Sequence, residues 1–369
     1  MSDPRRFWMG FTLVKGIGAA RLQMLLSHFG DVETAWSASP AALKAAGLSE
    51  KLTGRLVQVR EKADLSRLLE QALASGIQVL TWEDPAYPPL LKEIDQPPPV
   101  LYLRGEITDE DGWAVAIVGT RRVSPYGRQV TEEIASFLAA NGVTVVSGLA
   151  RGVDAIAHAA AMKAGGRSLA VLGSGVDRIY PPENRQLAEK MTGQGAIVSD
   201  YPPGTPPEGP NFPPRNRIIS GLSRAVIVVE AGETSGALIT AGFAAEQGRE
   251  VFAVPGNILA PQSKGTNKLI QDGARPLLNA RDVLDLLNLA QVGEQRQARK
   301  VLPSDPTEAR LLEAFGYEPL HVDEIRNLTG LPIEQVSATL TLMELKGMVR
   351  QVGGMNYIAV REVQSDYET

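Results

Sequence analysis

The sequence predicts an α/β protein: a doubly wound, mostly parallel sheet flanked by an N-terminal helical domain and a C-terminal winged-helix domain. Three observations predict it. Apolar runs such as 114–118 and 225–229 are too short for helices and too continuous for half-exposed strands, which is how parallel strands buried on both faces read. These runs alternate with helix-length segments, the order that places helices on both faces of a parallel sheet. Near the C-terminus, three helical segments precede two short strand-like runs turned on Gly353-Gly354, the order of a winged helix.

In chain order, residues 1–75 form the helical domain. Lys15-Gly16-Ile17-Gly18 leads into a helix with Leu22, Leu25, Leu26 and Phe29 on one face, closed by Gly30. A second piece spans 40–43 and a third helix 51–74. Gly-Ile-Gly before a helix is a helix-hairpin-helix turn, whose amides can hold a DNA phosphate. The preferred reading is that its glycines let two helices pack closely, because only Lys15 and Arg21 add charge nearby. Residues 76–290 form the α/β domain. Strands are expected at 79–80 and 100–103, then at 114–118, 143–147, 168–172, 196–199, 225–229 and 250–254. Helices are expected to start at Ser124, Asp154, Glu183, Arg215 and Ser235, with a last helix over 280–289. Residues 291–305 read as a polar linker. Residues 306–369 hold the winged helix, with helices from Thr307, Val322 and Pro332 and strands at 348–352 and 357–360.

Composition bounds the chemistry. At 369 residues the chain has room for two or three domains. It has no cysteine, which excludes disulfides, cysteine zinc sites and thiol catalysis. No apolar run approaches the roughly 20 residues that span a bilayer. Arg5 and Arg6 are not followed by an apolar segment with a cleavage site, so no secretory signal is expected and the cytoplasm is the default location. A net charge of -5 argues against a bulk polyanion binder, so any basic surface must be local. Residues 114–230 hold twelve Lys/Arg against nine Asp/Glu, whereas residues 304–369 hold five against eleven.

In a doubly wound sheet, ligands sit outside the carboxyl ends of the strands. Those ends carry small loops here, at 119–122, 147–152, 173–175 and 232–236, each before a helix N-terminus that attracts anions. Ser124-Pro125 supplies an N-cap and an N1 proline. No Gly-x-Gly-x-x-Gly or Gly-x-x-x-x-Gly-Lys-Ser/Thr occurs, which disfavours dinucleotide reduction and NTP hydrolysis. Arg121, Arg122, Arg151, Arg215 and Arg217 lie in or beside these loops. Phe212 sits in what reads as a proline-rich loop, with Pro210 before it and Pro213 and Pro214 after it. An aromatic surface with fixed positive charge is the chemistry that holds a single nucleic-acid strand. The candidate contacts are Arg121, Arg122, Gly148, Arg151, Gly173, Ser174, Phe212, Arg215, Asn216 and Arg217. The plainer alternative pairs the arginines with Asp154, Asp177, Asp200 and Glu230, and makes Phe212 a plug of its loop.

Catalytic constellations are thin. His28, His158 and His321 show no metal-ligand spacing, and His158 reads as a helix-packing residue. Glu230, at a strand end facing the glycine loops, is the best acid or base, or else a holder of an arginine or a helix amide. No catalytic residue, metal or cofactor is assigned. Leu269 and Ile270 lie on what should be an outer helix. The expected recognition helix of the tail, 332–346, presents Glu334, Gln335, Ser337, Thr341 and Glu344, too acidic a face for ordinary groove reading, and only Arg350 offers an obvious phosphate contact on the wing. A protein-contact or regulatory role fits that tail as readily as duplex DNA.

These residues resemble the DNA processing protein A family. The likeness rests on 85–88 with 101–105, on Val118-Gly119-Thr120-Arg121-Arg122 and on 147–154. It continues through Tyr180-Pro181 with Asn184, Phe212 with 215–223, Ser235-Gly236 and 265–267. It is dense from Gly76 to about Leu289, and the flanks match a long form with a sterile-alpha-motif-like head, a Rossmann-like centre and a winged-helix tail. The resemblance implies a non-enzymatic protein that binds single-stranded DNA without sequence preference in natural transformation. It also implies a homodimer through the α/β domain, with the interface near Leu269 and Ile270, and loading of the RecA recombinase onto incoming strands. By the same resemblance, Arg121 and Phe212 match strand-contacting positions. A lysine that some relatives carry before the phenylalanine is replaced here by Glu208-Gly209-Pro210. A rival resemblance, to nucleoside-monophosphate phosphoribohydrolases of the Lonely Guy type, would place a nucleotide on the same loops with Glu230 assisting glycosidic cleavage.

Overall fold

A computed structural model describes residues 3–287, 305–315, 319–346 and 348–359. It divides into two compact units, 1–289 and 290–369. The expected linker at 291–305 falls almost wholly outside the described residues.

The first unit opens with six helices: α1 (Arg5–Leu13), α2 (Ala19–Phe29), α3 (Val32–Ser37), α4 (Pro40–Ala45), α5 (Glu50–Lys62) and α6 (Leu65–Ala74). The helix expected over 51–74 is two helices. Asp64 interrupts it, its carboxylate accepting the Arg67 amide at 3.0 Å as an N-cap. In the hairpin, a Cβ on Gly16 would lie 2.8 Å from Leu52, so that glycine answers to close packing. Trp8, Phe11 and Trp36 fill the head, and Trp8 meets Trp82 edge-on at 5.5 Å. These residues share one apolar core with Val79, Tyr102 and Leu172 of the sheet. The head is therefore fused onto the α/β layer, although its elements end near residue 75.

Next come β1 (Gln78–Thr81), α7 (Pro89–Lys92), β2 (Val100–Gly105), β3 (Ala114–Val118), α8 (Pro125–Ala140), β4 (Thr144–Ser147) and α9 (Val153–Lys163). The layer continues with β5 (Ser168–Val171), α10 (Arg185–Met191), β6 (Gly195–Ser199), α11 (Phe212–Gly221), β7 (Ala225–Val228) and α12 (Gly236–Glu246). It ends with β8 (Glu250–Ala253), α13 (Lys264–Gln271), β9 (Arg275–Pro276) and α14 (Arg281–Leu286). Every residue of β3 through β7 is buried, as the solid apolar runs require.

The nine strands form one sheet in the order β1-β2-β6-β5-β4-β3-β7-β8-β9. From β6 to β9 all neighbours are parallel, and β2 and β1 add antiparallel strands at one edge. The chain winds outward from β3 through β4, β5 and β6, then returns to the other side of β3 with β7. That reversal is the topological switch point, where a crevice opens above the strand ends.

The second unit holds α15 (Pro306–Ala314), β10 (Leu320–His321), α16 (Val322–Thr329), α17 (Ile333–Leu345), β11 (Val349–Gln351) and β12 (Asn356–Ala359). Gly353 and Gly354 turn the hairpin with φ of 106° and 55°, a conformation that favours glycine. Leu311, Ile325, Val336, Leu340 and Met343 pack its core.

Candidate nucleic-acid interface

The switch point carries a cavity of about 740 Å³. Its walls come from the five loops after β3, β4, β5, β6 and β7 and from α11 and α12. On one side the loop after β3 is tied down twice. Thr120 donates its amide to the Glu230 carbonyl at 2.7 Å, and Ser124 N–H reaches Glu230 Oε2 at 2.9 Å. Ser124 Oγ donates to Glu230 Oε1 at 2.5 Å and accepts the Gly127 amide at 3.0 Å, capping α8. Glu230 is 2 % exposed. Its carboxylate anchors a helix start across the switch point, a position that argues against an acid or base role.

Above this frame, Arg121 and Arg122 are exposed at the rim. The Arg121 guanidinium carbon lies 5.9 Å from the Phe212 ring centre, within cation–π reach. Phe212 does not sit in a loop: it is the first residue of α11. Pro213 and Pro214 follow it in the first turn, where no N–H partner is needed, so the prolines start a helix here. The ring is half-buried, and beneath it a Cβ on Gly173 would come within 2.9 Å of Phe212 Cδ1. Tyr180, 40 % exposed, places its ring 5.9 Å from Phe212 at 41°. Tyr180 thus joins the site without a sequence-predicted role; its signal is an aromatic in the loop after β5.

Arg215 lies under the ring, 5.9 Å from its centre. It is 5 % exposed, which corrects its reading as a surface phosphate contact. Its Nη1 donates to the carbonyls of Gly148, at 2.9 Å, and of Val171. A Cβ at Gly148 would stand 2.3 Å from that nitrogen, so only glycine leaves room for the guanidinium. Asp154 is buried beside it, accepting the amides of Gly148 and Ala150. Burial lowers the Arg215 pKa to about 10, with Asp154 opposing the shift, and it keeps its charge at neutral pH. Burial raises the pKa of Asp154, against Arg215 and its backbone donors. One layer deeper, burial and then Arg215 push His158 down to about 3, so it is neutral, with Nδ1 2.7 Å from Ser168 Oγ.

The remaining predicted residues divide. Asn216 lines the cavity and joins α11 to the start of α12 by donating to Gly236 O at 3.2 Å. Arg151 is exposed at the neighbouring edge but pairs with Glu183. Arg217 is not in the cavity. It pairs with Asp200 at 2.9 Å and donates to the carbonyls of Gln96 and Pro214, lining a separate groove. Ser174 is 2 % exposed and its hydroxyl closes its own loop onto the Arg178 carbonyl. For Arg217 and Ser174 the sequence saw a loop address, and the structure spends both side chains internally. Leu269 is half-buried against the sheet's core and Ile270 is half-buried, while Ile258 and Leu259, in the loop before α13, and Leu278, in the loop after β9, are about four-fifths exposed.

The arrangement joins two exposed guanidinium groups, two neighbouring aromatic rings and a buried cation, all at one sheet edge. Such a surface can take a phosphate and stack a base. Similarity to known proteins points the same way. The model of the DNA recombination-mediator protein A family matches residues 78–288, and a DprA winged-helix domain matches 295–355. Protein Smf of Synechocystis is 39% identical over 393 residues, covering 96% of this chain and 99% of its own. The X-ray structure of DNA processing protein A from Streptococcus pneumoniae aligns over 76% of this chain and 97% of its own, with a TM-score of 0.67 and 33% identity. DNA processing protein A of Helicobacter pylori, whose structure was described for its single-stranded DNA binding mode, aligns over 57% of this chain and 95% of its own (TM-score 0.51, 33% identity). This chain belongs to the DNA recombination-mediator protein A family.

Proposed function

We propose that this chain binds single-stranded DNA across the strand-end cavity without reading its sequence, protects incoming strands in natural transformation, and delivers them to the RecA recombinase. The observation that supports it is the half-buried Phe212 ring with Arg121 above it, Arg215 beneath it and Tyr180 alongside. Phosphates would run over the rim cations while bases stack, which needs no base-edge contact. Arg215 acts from below, as a fixed charge that holds the loops around Gly148. The cytoplasm is the compartment this role requires. A titration of labelled oligo-dT tests it: binding should be tight at low salt, weaken steeply as salt rises, and vary little among sequences. RecA nucleation on strands already coated by another binding protein should accelerate when the chain is added; no acceleration would remove the delivery step and leave the binding. A nucleotide hydrolase reading has less support because Glu230 is committed to Ser124. Release of free base from nucleoside monophosphates would revive it.

The working unit in this proposal is a homodimer joined near α13. Ile270 with the exposed Ile258, Leu259 and Leu278 supplies the apolar surface that such an interface needs. Ile270→Glu should halve the mass in solution; an unchanged dimeric mass would move the interface elsewhere.

A further inference from the structure

The head carries a second basic surface that the proposed strand site does not use. Along α5, Lys51, Arg55, Gln58 and Lys62 recur at i, i+4, i+7 and i+11, so they share one face, turned away from the buried Leu52 and Leu56. Lys15 of the helix-hairpin-helix turn joins this face: Arg55 Nη1 donates to its carbonyl at 2.9 Å. Lys15, Arg55, Gln58 and Lys62 line a groove of about 480 Å³ that contains no carboxylate. Among the described residues the head's ion pairs are Arg5–Asp3 and Lys44–Glu50, which leaves Lys15, Lys51, Arg55 and Lys62 without acidic partners. Glu50 and Glu61 lie to one flank of the stripe, and Glu50 is already held by Lys44. Four unneutralised cations in one place run against the net charge of -5.

Two glycines give an independent indication. Gly54 lies in the middle of α5, between the stripe and its Glu50–Glu61 flank, and is exposed; a Cβ there would meet nothing within 4 Å. Gly18, exposed at the start of α2, is equally free and its φ of -102° suits any residue. A mid-helix glycine costs helix stability, and neither packing nor backbone conformation demands this one. A bare backbone beside cations suits close approach by another backbone.

We propose that this face of the head, from Lys15 and Gly18 to the Lys51–Lys62 stripe, takes the sugar–phosphate backbone of duplex DNA, independently of the strand-end cavity. No aromatic lines the groove, so it offers charge without stacking, which fits a paired backbone better than a splayed single strand. Lys51 and Lys62 are separated by about 16 Å along the helix, enough for several phosphates of one strand.

The test is fluorescence anisotropy with a labelled blunt duplex of about 25 base pairs and, separately, labelled oligo-dT, on the full chain. Lys51→Glu/Lys62→Glu, which touches neither the hairpin nor the core, should weaken duplex binding about tenfold or more at low salt and flatten its salt slope by about two, with oligo-dT binding unchanged. Gly54→Gln should raise the melting temperature while weakening the duplex complex, an opposition that a purely structural glycine cannot produce. Unchanged duplex affinity in both variants, or no duplex binding by the wild-type chain at low salt, would overturn the proposal. So would a parallel loss of oligo-dT binding, which would assign the stripe to the same single strand as the cavity.

Discussion

The strand-end cavity and the α5 stripe are both basic, yet they are built in opposite ways. In the cavity the central cation is buried, locked to the Gly148 and Val171 carbonyls, and covered by a ring. On the stripe every cation but the half-exposed Arg55 lies fully at the surface and none has a carboxylate partner. The cavity therefore depends on the core for its shape, while the stripe is charge laid on a helix that would fold without it. Substitutions in the first region should move stability and binding together or apart in ways that identify each residue's depth. Those in the second should move binding alone.

The largest effect belongs to the deepest cation. Arg215→Ala leaves two buried carbonyls without a donor and Asp154 without its neighbouring charge, so it should destabilise the fold by about 2–5 kcal/mol and abolish oligo-dT binding. A melting temperature within a degree of wild type would place Arg215 with the surface cations instead.

His158 tests the same depth through pH. Burial and then Arg215 hold it at about 3, below the ordinary histidine value of 6.5, so between those limits the unfolded chain binds a proton that the folded chain refuses. Stability from this group is complete above pH 6.5 and falls as pH drops toward 3, by an amount on the order of 3–5 kcal/mol. Asp154, raised by burial, contributes with the opposite sign, so the informative curve is the difference between wild type and His158→Gln across pH 4–8. A flat difference would mean that His158 reaches solvent.

Phe212→Ala should cost about 1–3 kcal/mol in oligo-dT affinity, the usual worth of a base–aromatic stack, with Phe212→Trp tolerated. Because the ring is half-buried over Gly173 and Arg215, a modest loss of thermal stability should accompany the alanine variant. A large stability loss with intact binding would make the ring a plug. Arg121→Ala is the surface counterpart and has the smallest effect: uniformly weaker binding across sequences, a salt slope reduced by about one, and an unchanged melting temperature. An unaltered slope would remove Arg121 from the phosphate path.

The sheet was legible because burial on both faces demands continuous apolar runs, and those survive as a one-dimensional signal from 114–118 to 225–228. The switch point followed from strand order. Depth was not legible. Arg215 and Arg217 sit two residues apart, yet one turns inward because Gly148 leaves a hole for it, and the other turns to Asp200. No local pattern announces a hole made by a residue 67 positions away. The three prolines around Phe212 read as a loop, whereas two of them occupy a helix's first turn, where proline is at home. The break at Asp64 carried a readable capping signal that the long helical periodicity outweighed.

The tie between Glu230 and the 120–124 loop bears on kinetics. It binds the two halves of the sheet across the switch point through one backbone and two side-chain hydrogen bonds. In the proposed complex, a crevice stitched at its base offers no hinge at that point, so a bound strand would leave by peeling from one end, nucleotide by nucleotide, and not through an opening door. Residence time should then lengthen with every added nucleotide that finds a contact, while the association rate stays nearly independent of strand length.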